Sequence, residues 1–191
     1  MGWPLRCADS SRGGSTLIFL STEVEGVLCV EPERREDERG YFARTFCENE
    51  FAAQGRVFRP VQCSTSFNLR HGTLRGLHFQ AEPHAEDKLV RCTRGEIFDV
   101  AVDLRRHSPS FLRVATAVLS PGNGRQLFIP KGCAHGFITL VDDTEVEYMI
   151  SEPFVPEAAS GLRWNDPMLG IAWPIEPKVI SDRDQDWPLL R

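Results

Sequence analysis

The stretch "IPKGCAHGF" at residues 129–137 joins a tight turn to a strand that starts near a histidine. Pro130, Gly132 and His135 have the spacing PxGxxH. Pro and Gly favour the turn, and the residues that follow, "GFITLV" at 136–141, are typical of a strand. This spacing is typical of barrels in which the histidine points inward. The stretch therefore predicts a β-barrel with a polar side chain in its interior.

The rest of the chain also consists mainly of short apolar stretches separated by turns. Stretches rich in β-branched and aromatic residues predict strands, and they lie at 24–32, 40–46, 87–95, 96–105, 113–120, 125–130, 136–141 and 144–154. One short helix is predicted at 47–55, where Gly55 ends it. Many short strands, spaced about 8–12 residues apart, indicate a sandwich or a jelly roll. Together with PxGxxH, the pattern predicts an all-β, cupin-type jelly-roll barrel or sandwich with a few short helices.

Size and charge limit the function classes. The chain has 191 residues, 41% of them hydrophobic, and a formal net charge of −5. This predicts an N-terminal lead-in segment at 1–23 and a single domain at 24–191. An acidic chain does not favour nucleic acid or an anionic membrane as a partner, although a small phosphorylated ligand needs only a few local cations. The early apolar run at 16–20 is too short to span a membrane.

The cysteines indicate a reducing compartment. Six cysteines stand at positions 7, 29, 47, 63, 92 and 133, and no CxxC pair occurs among them. Their spacing suits neither a zinc ribbon nor a compact disulfide scaffold. We interpret them as reduced, mostly buried thiols, which predicts a cytoplasmic protein.

A second informative stretch, "TLRGLHFQ" at 73–80, places Arg75 and His78 in an apolar strand. Side chains alternate between the two faces of a regular strand, so these two would point to opposite sides. A bulge at Gly76 would change that. From the pattern alone, His78 is a packed core residue, a metal ligand or a base.

Metal binding by a cupin usually needs an HxH pair and an upstream glutamate. This chain has no HxH, and its five histidines stand at 71, 78, 84, 107 and 135. A site built from His78 and His135 would need help from carboxylates. We therefore expect no metal, and a metal-dependent cupin enzyme is the less favoured alternative.

Several charged residues and one tyrosine interrupt the apolar strands, and buried charges need partners. We expect Asp103 and Arg105 to form a structural ion pair. His78 and Lys88 instead predict a polar interior that binds an anionic ligand. Tyr148 alternates with apolar neighbours, which favours a core aromatic residue, while its functional interpretation is a proton donor that faces a base.

Six blocks occur in a fixed order along residues 24–190: "DERGYFARTF", "GTLRGLHFQ", "DKLVRCTRGEIFDVAVDLRRHSPSF", "LFIPKGCAHGFITL", "VEYMISEPFVPEAASGLRWNDP" and "ISDRDQDWP". In these blocks the chain resembles the dTDP-4-dehydrorhamnose 3,5-epimerase family. The resemblance implies a cupin-fold homodimer that needs no cofactor. It also implies inversion of carbon 3, carbon 5 or both in a dTDP-linked 4-keto-6-deoxyhexose, in deoxysugar biosynthesis.

The resemblance assigns four catalytic residues. His78 matches the general base, and Asp184 matches the carboxylate that raises its basicity. Lys88 matches the lysine placed beside the enolate, and Tyr148 matches the acid that returns a proton to the opposite face.

It also assigns the residues that bind substrate. Arg39, Arg75 and His135 match positions that contact the diphosphate or the sugar. Gln62 matches a polar residue of the same pocket, and Phe42 is an aromatic residue placed to stack on the base.

Three residues depart from the family pattern. Arg44 replaces a frequent glutamate, Ser64 replaces an asparagine, and Phe154 stands where a second tyrosine is common. These changes leave open the nucleotide and the number of centres that are inverted. The alternatives are a 3,4-ketoisomerase of the same fold and a non-catalytic module that binds sugar nucleotides.

Overall fold

The computed structural model describes residues 16–190, and over this range the chain is almost entirely β-structure. In chain order the strands are β1 Leu17–Ser21, β2 Leu28–Pro32, β3 Arg34–Asp37, β4 Gly40–Ala43, β5 Gln62–Asn68, β6 Leu74–Gln80, β7 Lys88–Arg94, β8 Ile97–Asp103, β9 Val114–Leu119, β10 Gln126–Ile129, β11 Cys133–Thr139, β12 Thr144–Ile150 and β13 Ala159–Gly161. Two short α-helices, α1 Glu48–Ala53 and α2 Asp182–Asp186, and a 3₁₀ turn, Pro156–Ala158, complete the described elements.

The strands form two sheets that face each other. One has the order β1-β2-β10-β7-β12-β5 and the other the order β13-β6-β11-β8-β9, while β3 and β4 form a separate hairpin. All the paired strands run antiparallel. Apolar side chains from both sheets meet in one core, among them Val90 and Val146 from the first and Ala101 and Phe137 from the second. This arrangement confirms the predicted all-β jelly-roll fold.

Four strands lie outside the predicted series: β1, β3, β5 and the three-residue β13. β3 is made entirely of charged residues and β5 is mostly polar, so neither carries the apolar pattern of a buried strand. β1 falls inside the predicted lead-in at 1–23, yet it pairs with β2 in the six-stranded sheet. Residues 1–15 of that lead-in lie outside the described range. The sheet therefore begins before the predicted domain boundary.

The C-terminal tail covers the outer face of the five-stranded sheet. Leu162 and Leu169 are buried there against Leu77, Val100 and Val102, three residues of that sheet. Further along, the N–H of Leu74 donates to the carbonyl oxygen of Val179 at 2.8 Å. This pairing fixes the chain just before α2 and brings that helix to the side of β6.

A bulge at Gly76 changes which way β6 presents its side chains. His135 of β11 pairs with His78, but Phe137, two residues later, pairs with Arg75, so β6 holds one extra residue. Gly76 has a φ of 132°, and a Cβ on it would lie 2.5 Å from the Cα of Gly136. Glycine is thus required here, and the bulge places Arg75 and His78 on the same interior face.

Asp103 and Arg105 form the expected structural ion pair, with Arg105 Nε 2.8 Å from Asp103 Oδ1. The hydroxyls of Ser108 and Ser110 also donate to Asp103. Burial opposes ionisation of this carboxyl, but these donors together hold its pKa down at about 2. Asp103 therefore stays ionised and holds the loop after β8 in place, which is a structural role.

None of the helices within residues 16–190 is long and apolar enough to cross a membrane.

Candidate active site

His78 and Asp184 form a hydrogen-bonded pair between β6 and α2. His78 Nε2 lies 2.6 Å from Asp184 Oδ1, to which Trp187 Nε1 also donates at 3.3 Å. The backbone N–H of Gly76 donates to the other carboxylate oxygen at 3.2 Å. Asp184 is buried, whereas the side chain of His78 is 44% exposed. The carboxylate therefore anchors one ring nitrogen and leaves Nδ1 for a ligand.

The surroundings of Asp184 keep it ionised. Burial alone would raise its pKa, but the hydrogen bond and charge of His78, the N–H of Gly76 and the indole of Trp187 together lower the pKa below its usual value. An ionised carboxylate beside the ring stabilises the imidazolium that forms when His78 accepts a proton. The pair therefore has the geometry of a general base.

Lys88 lies at the start of β7, beside His78. Its Nζ is 2.8 Å from Glu86 Oε1 and 3.5 Å from the carbonyl oxygen of His78. The side chains of Lys88 and Glu86 are only 12% and 5% exposed. An ammonium has three N–H donors, so one of them is not used by any residue of the described range.

A second histidine–carboxylate pair lies on the same interior face. His135 Nε2 is 2.7 Å from Asp99 Oδ1, and both residues are buried. Burial raises the pKa of Asp99, against the lowering effect of His135. His135 is the direct strand partner of His78 across β11 and β6.

Tyr148 approaches from the opposite sheet. Its ring packs edge-on against His135, with 6.1 Å between ring centroids, and its hydroxyl lies 3.3 Å from Ser66 Oγ. Burial raises the pKa of Tyr148 well above its usual value, although the hydrogen bond with Ser66 acts the other way. The phenol is therefore protonated at neutral pH and able to act as an acid. Tyr148 also serves in part as a core aromatic residue, since it packs against the apolar cluster between the sheets.

A cavity of about 180 Å³ opens beside His78. Its walls include Gln62, His78, Glu86, Lys88, Phe154 and Arg183. Strands β5, β6, β7 and β12 thus contribute to one concave space, whose charged lining comprises Lys88, Arg183, Glu86 and Glu152.

The remaining residues assigned by sequence lie in different places. Arg75 donates from Nε to Asn68 Oδ1 at 2.7 Å, and neither it nor His135 nor Tyr148 lines this cavity. Arg39 and Phe42 lie on the β3–β4 hairpin, with the Arg39 side chain 84% exposed and Phe42 73% exposed. The described chain therefore does not bring the hairpin residues to the cavity.

The three departures from the family pattern also have definite places. Arg44 forms an ion pair with Glu50 of α1 at 2.7 Å. Ser64 lies directly opposite Tyr148 on the adjacent strand β5. Phe154 is 61% exposed at the cavity wall, where its N–H donates to Gln62 Oε1 at 2.7 Å.

The residues from 16 to 190 contain no group of three or more His, Cys, Asp and Glu side chains arranged to hold a metal ion. His78 and His135, the two candidate ligands, are each paired with a different carboxylate.

Comparison with known proteins places this site in a family. The model of the family described as dTDP-4-dehydrorhamnose 3,5-epimerase matches residues 21–191. The chain belongs to the dTDP-4-dehydrorhamnose 3,5-epimerase family. An enzyme of that name from Methanothermobacter thermautotrophicus is 47% identical over 176 residues, which cover 91% of this chain and 94% of the relative.

Solved structures of the dTDP-4-dehydrorhamnose 3,5-epimerase family have the same fold. The Bacillus anthracis epimerase, crystallised with TDP and PPi, has a TM-score of 0.88 and 40% identity, over 91% of this chain and 99% of its own. A 3'-monoepimerase from Streptomyces bikiniensis, in complex with dTDP-quinovose, has a TM-score of 0.80 and 33% identity, over 87% and 84% of the two chains. The solved relatives thus include an enzyme whose name, 3'-monoepimerase, specifies epimerisation at a single carbon.

Three residues at the site were not assigned a role from the sequence. Glu86 lies in the polar turn "PHAEDK", where nothing marks it as buried. Arg183 and Trp187 stand in the last block, and the guanidinium of Arg183 lies 5.0 Å from the Trp187 ring centroid. The one available signal was that Trp187 follows Asp184 by three residues, which is helical spacing.

Proposed function

We propose that this protein inverts carbon 3, carbon 5 or both in a dTDP-linked 4-keto-6-deoxyhexose, in deoxysugar biosynthesis. The observation that carries the proposal is the His78–Asp184 pair at the cavity. A half-buried, protonated Tyr148 on the opposite sheet supports it. Family membership supplies the substrate class.

The 4-ketone makes the hydrogens on its neighbouring carbons acidic. In the proposed mechanism His78 removes one of these protons, and the charge it gains is balanced by Asp184 at 2.6 Å. The electron pair moves onto the ketone oxygen and forms an enolate. Lys88, with a free donor beside His78, stabilises that oxygen.

Inversion requires that the proton return on the other face of the carbon. Tyr148 is the proposed donor, because its hydroxyl belongs to the sheet opposite His78 and its raised pKa keeps the proton available. His135 lies between the two, as the strand partner of His78 and the ring neighbour of Tyr148.

The rest of the proposed site binds the substrate. Arg75 presents a guanidinium on the same face as His78, and this group suits phosphate oxygens. Gln62 at the cavity wall and His135, the strand partner of His78, are proposed to supply further polar contacts. These assignments keep the roles that the family resemblance implies.

Deuterium exchange tests the proposed activity. The protein is incubated with dTDP-4-keto-6-deoxyglucose in deuterated water, and the sugar is analysed by NMR. We expect deuterium at carbon 3, at carbon 5 or at both, with an inverted configuration wherever it enters. A folded protein that introduces deuterium at neither carbon would contradict the proposal for this substrate, and a 3-keto product would indicate a ketoisomerase.

We also propose a cytoplasmic homodimer. Exposed apolar side chains support a self-contact: Phe42 on the hairpin is 73% exposed, and Phe67 on the edge strand β5 is 45% exposed. A second copy could then offer its Arg39 and Phe42 to the cavity. Free thiols at Cys29, Cys47, Cys63, Cys92 and Cys133 support a reducing compartment.

Cell fractionation tests the compartment, with the protein expected in the cytosolic fraction, and sedimentation equilibrium of the purified protein tests the dimer. We expect a mass twice the chain mass of 21.5 kDa. Phe42→Glu should increase the monomer fraction because it places a charge in the proposed contact. A wild-type mass of one chain at micromolar concentration would refute the dimer.

A further inference from the structure

Glu86 is a buried carboxylate with an unusual set of contacts. It lies in the turn before β7, is 7% exposed and lines the cavity that contains His78. Its Oε1 is 2.8 Å from Lys88 Nζ, while its Oε2 is buried and has no hydrogen-bond partner. Lys88 is therefore the only polar partner of this carboxylate within residues 16–190.

A comparison with Asp103 shows how a structural carboxylate is held in the same protein. Asp103 accepts hydrogen bonds from Arg105, Ser108 and Ser110 and lies away from the cavity. Glu86 lacks such a network, and its desolvation is offset only by Lys88. A buried ion pair of this kind contributes little or nothing to stability compared with apolar residues. Stability alone thus gives little reason for a carboxylate at this position.

The ion pair with Glu86 restricts the direction of the Lys88 side chain. Lys88 has four flexible side-chain bonds, and an unheld ammonium would sample many positions. Glu86 takes one of its three donors, and the His78 carbonyl oxygen lies 3.5 Å away, within weak reach of a second. The third donor is then left for a ligand in the cavity, next to the base.

We propose that Glu86 is a positioning residue, which holds the Lys88 ammonium in the orientation that stabilises the enolate oxygen. This inference rests on the proposed function, since the enolate is that of the proposed epimerisation. Glu86 itself does not touch the reacting atoms: it acts through Lys88.

Two variants and a matched control test this role. Glu86→Met keeps similar length but removes both oxygens, whereas Glu86→Gln keeps an oxygen that can accept from Lys88. Glu157→Met removes the same charge from the exposed 3₁₀ turn and serves as the control. The chain has three lysines, and the exposed Lys131 and Lys178 are internal references for chemical labelling.

The first measurement needs no substrate. Lysine acylation is followed by mass spectrometry of peptides from the folded protein. In Glu86→Met we expect Lys88 to react at least tenfold faster than in wild type, relative to Lys131 and Lys178. Glu86→Gln and Glu157→Met should stay within threefold of wild type. Equal reactivity of Lys88 in wild type and Glu86→Met would refute the proposal.

The second measurement is deuterium exchange by the same variants. Glu86→Met should lower kcat 10- to 100-fold with KM within about threefold, and Glu86→Gln should recover kcat to within about threefold of wild type, because it again orients the ammonium. A wild-type protein without exchange would refute the proposed function, while the acylation result would still decide the Glu86–Lys88 contact. Unchanged kcat in Glu86→Met would refute the positioning role.

Discussion

His78→Ala is expected to abolish deuterium exchange at both carbons of the substrate, with a loss of more than about 10³-fold in rate. The proposed first step is removal of a proton by the imidazole, and no other histidine within residues 16–190 lines this cavity. Asp184 cannot replace it, because that carboxylate is buried and its lowered pKa makes it a weak base. Exchange followed by NMR over several hours can detect a loss of rate of this size.

The control for this substitution is His107→Ala, which changes an exposed histidine in the loop after β8 that does not line the cavity. It should exchange deuterium at the wild-type rate. Binding of dTDP to His78→Ala, measured by calorimetry, should stay within about threefold of wild type, because the residues proposed to hold the nucleotide are unchanged. Wild-type exchange by a folded His78→Ala protein would show that the base is another group.

The fold could be predicted because the sequence patterns that indicate it are local. PxGxxH and the regularly spaced turns determine a strand-rich barrel, and the predicted strand at 136–141 overlaps β11, which carries His135. β5 was missed because "QCSTSFN" has no apolar alternation: five of its seven residues are exposed, and Gln62 at its start lines the cavity.

The site was less predictable because it depends on contacts between distant segments. Strand alternation alone sends Arg75 and His78 to opposite faces, and only the bulge at Gly76 reverses this. Asp184 is 106 residues from His78 in sequence, so the family resemblance, not any local pattern, connected the two. Glu86 gave no signal at all, since a glutamate in a polar turn is usually exposed.

Tyr148→Phe is expected to separate exchange from inversion. Without the phenol, His78 still removes a proton and, after exchanging it with solvent, returns deuterium to the same face. We expect exchange within about tenfold of wild type, but at least about 100-fold less inverted product, because the acid on the opposite face is missing. NMR of one reaction in deuterated water gives both rates. Tyr41→Phe, at the other tyrosine of the chain, is the matched control and should show wild-type rates of both exchange and inversion. Inversion at the wild-type rate by Tyr148→Phe would rule out Tyr148 as the acid, and equal loss of exchange and inversion would show that it acts before the enolate forms.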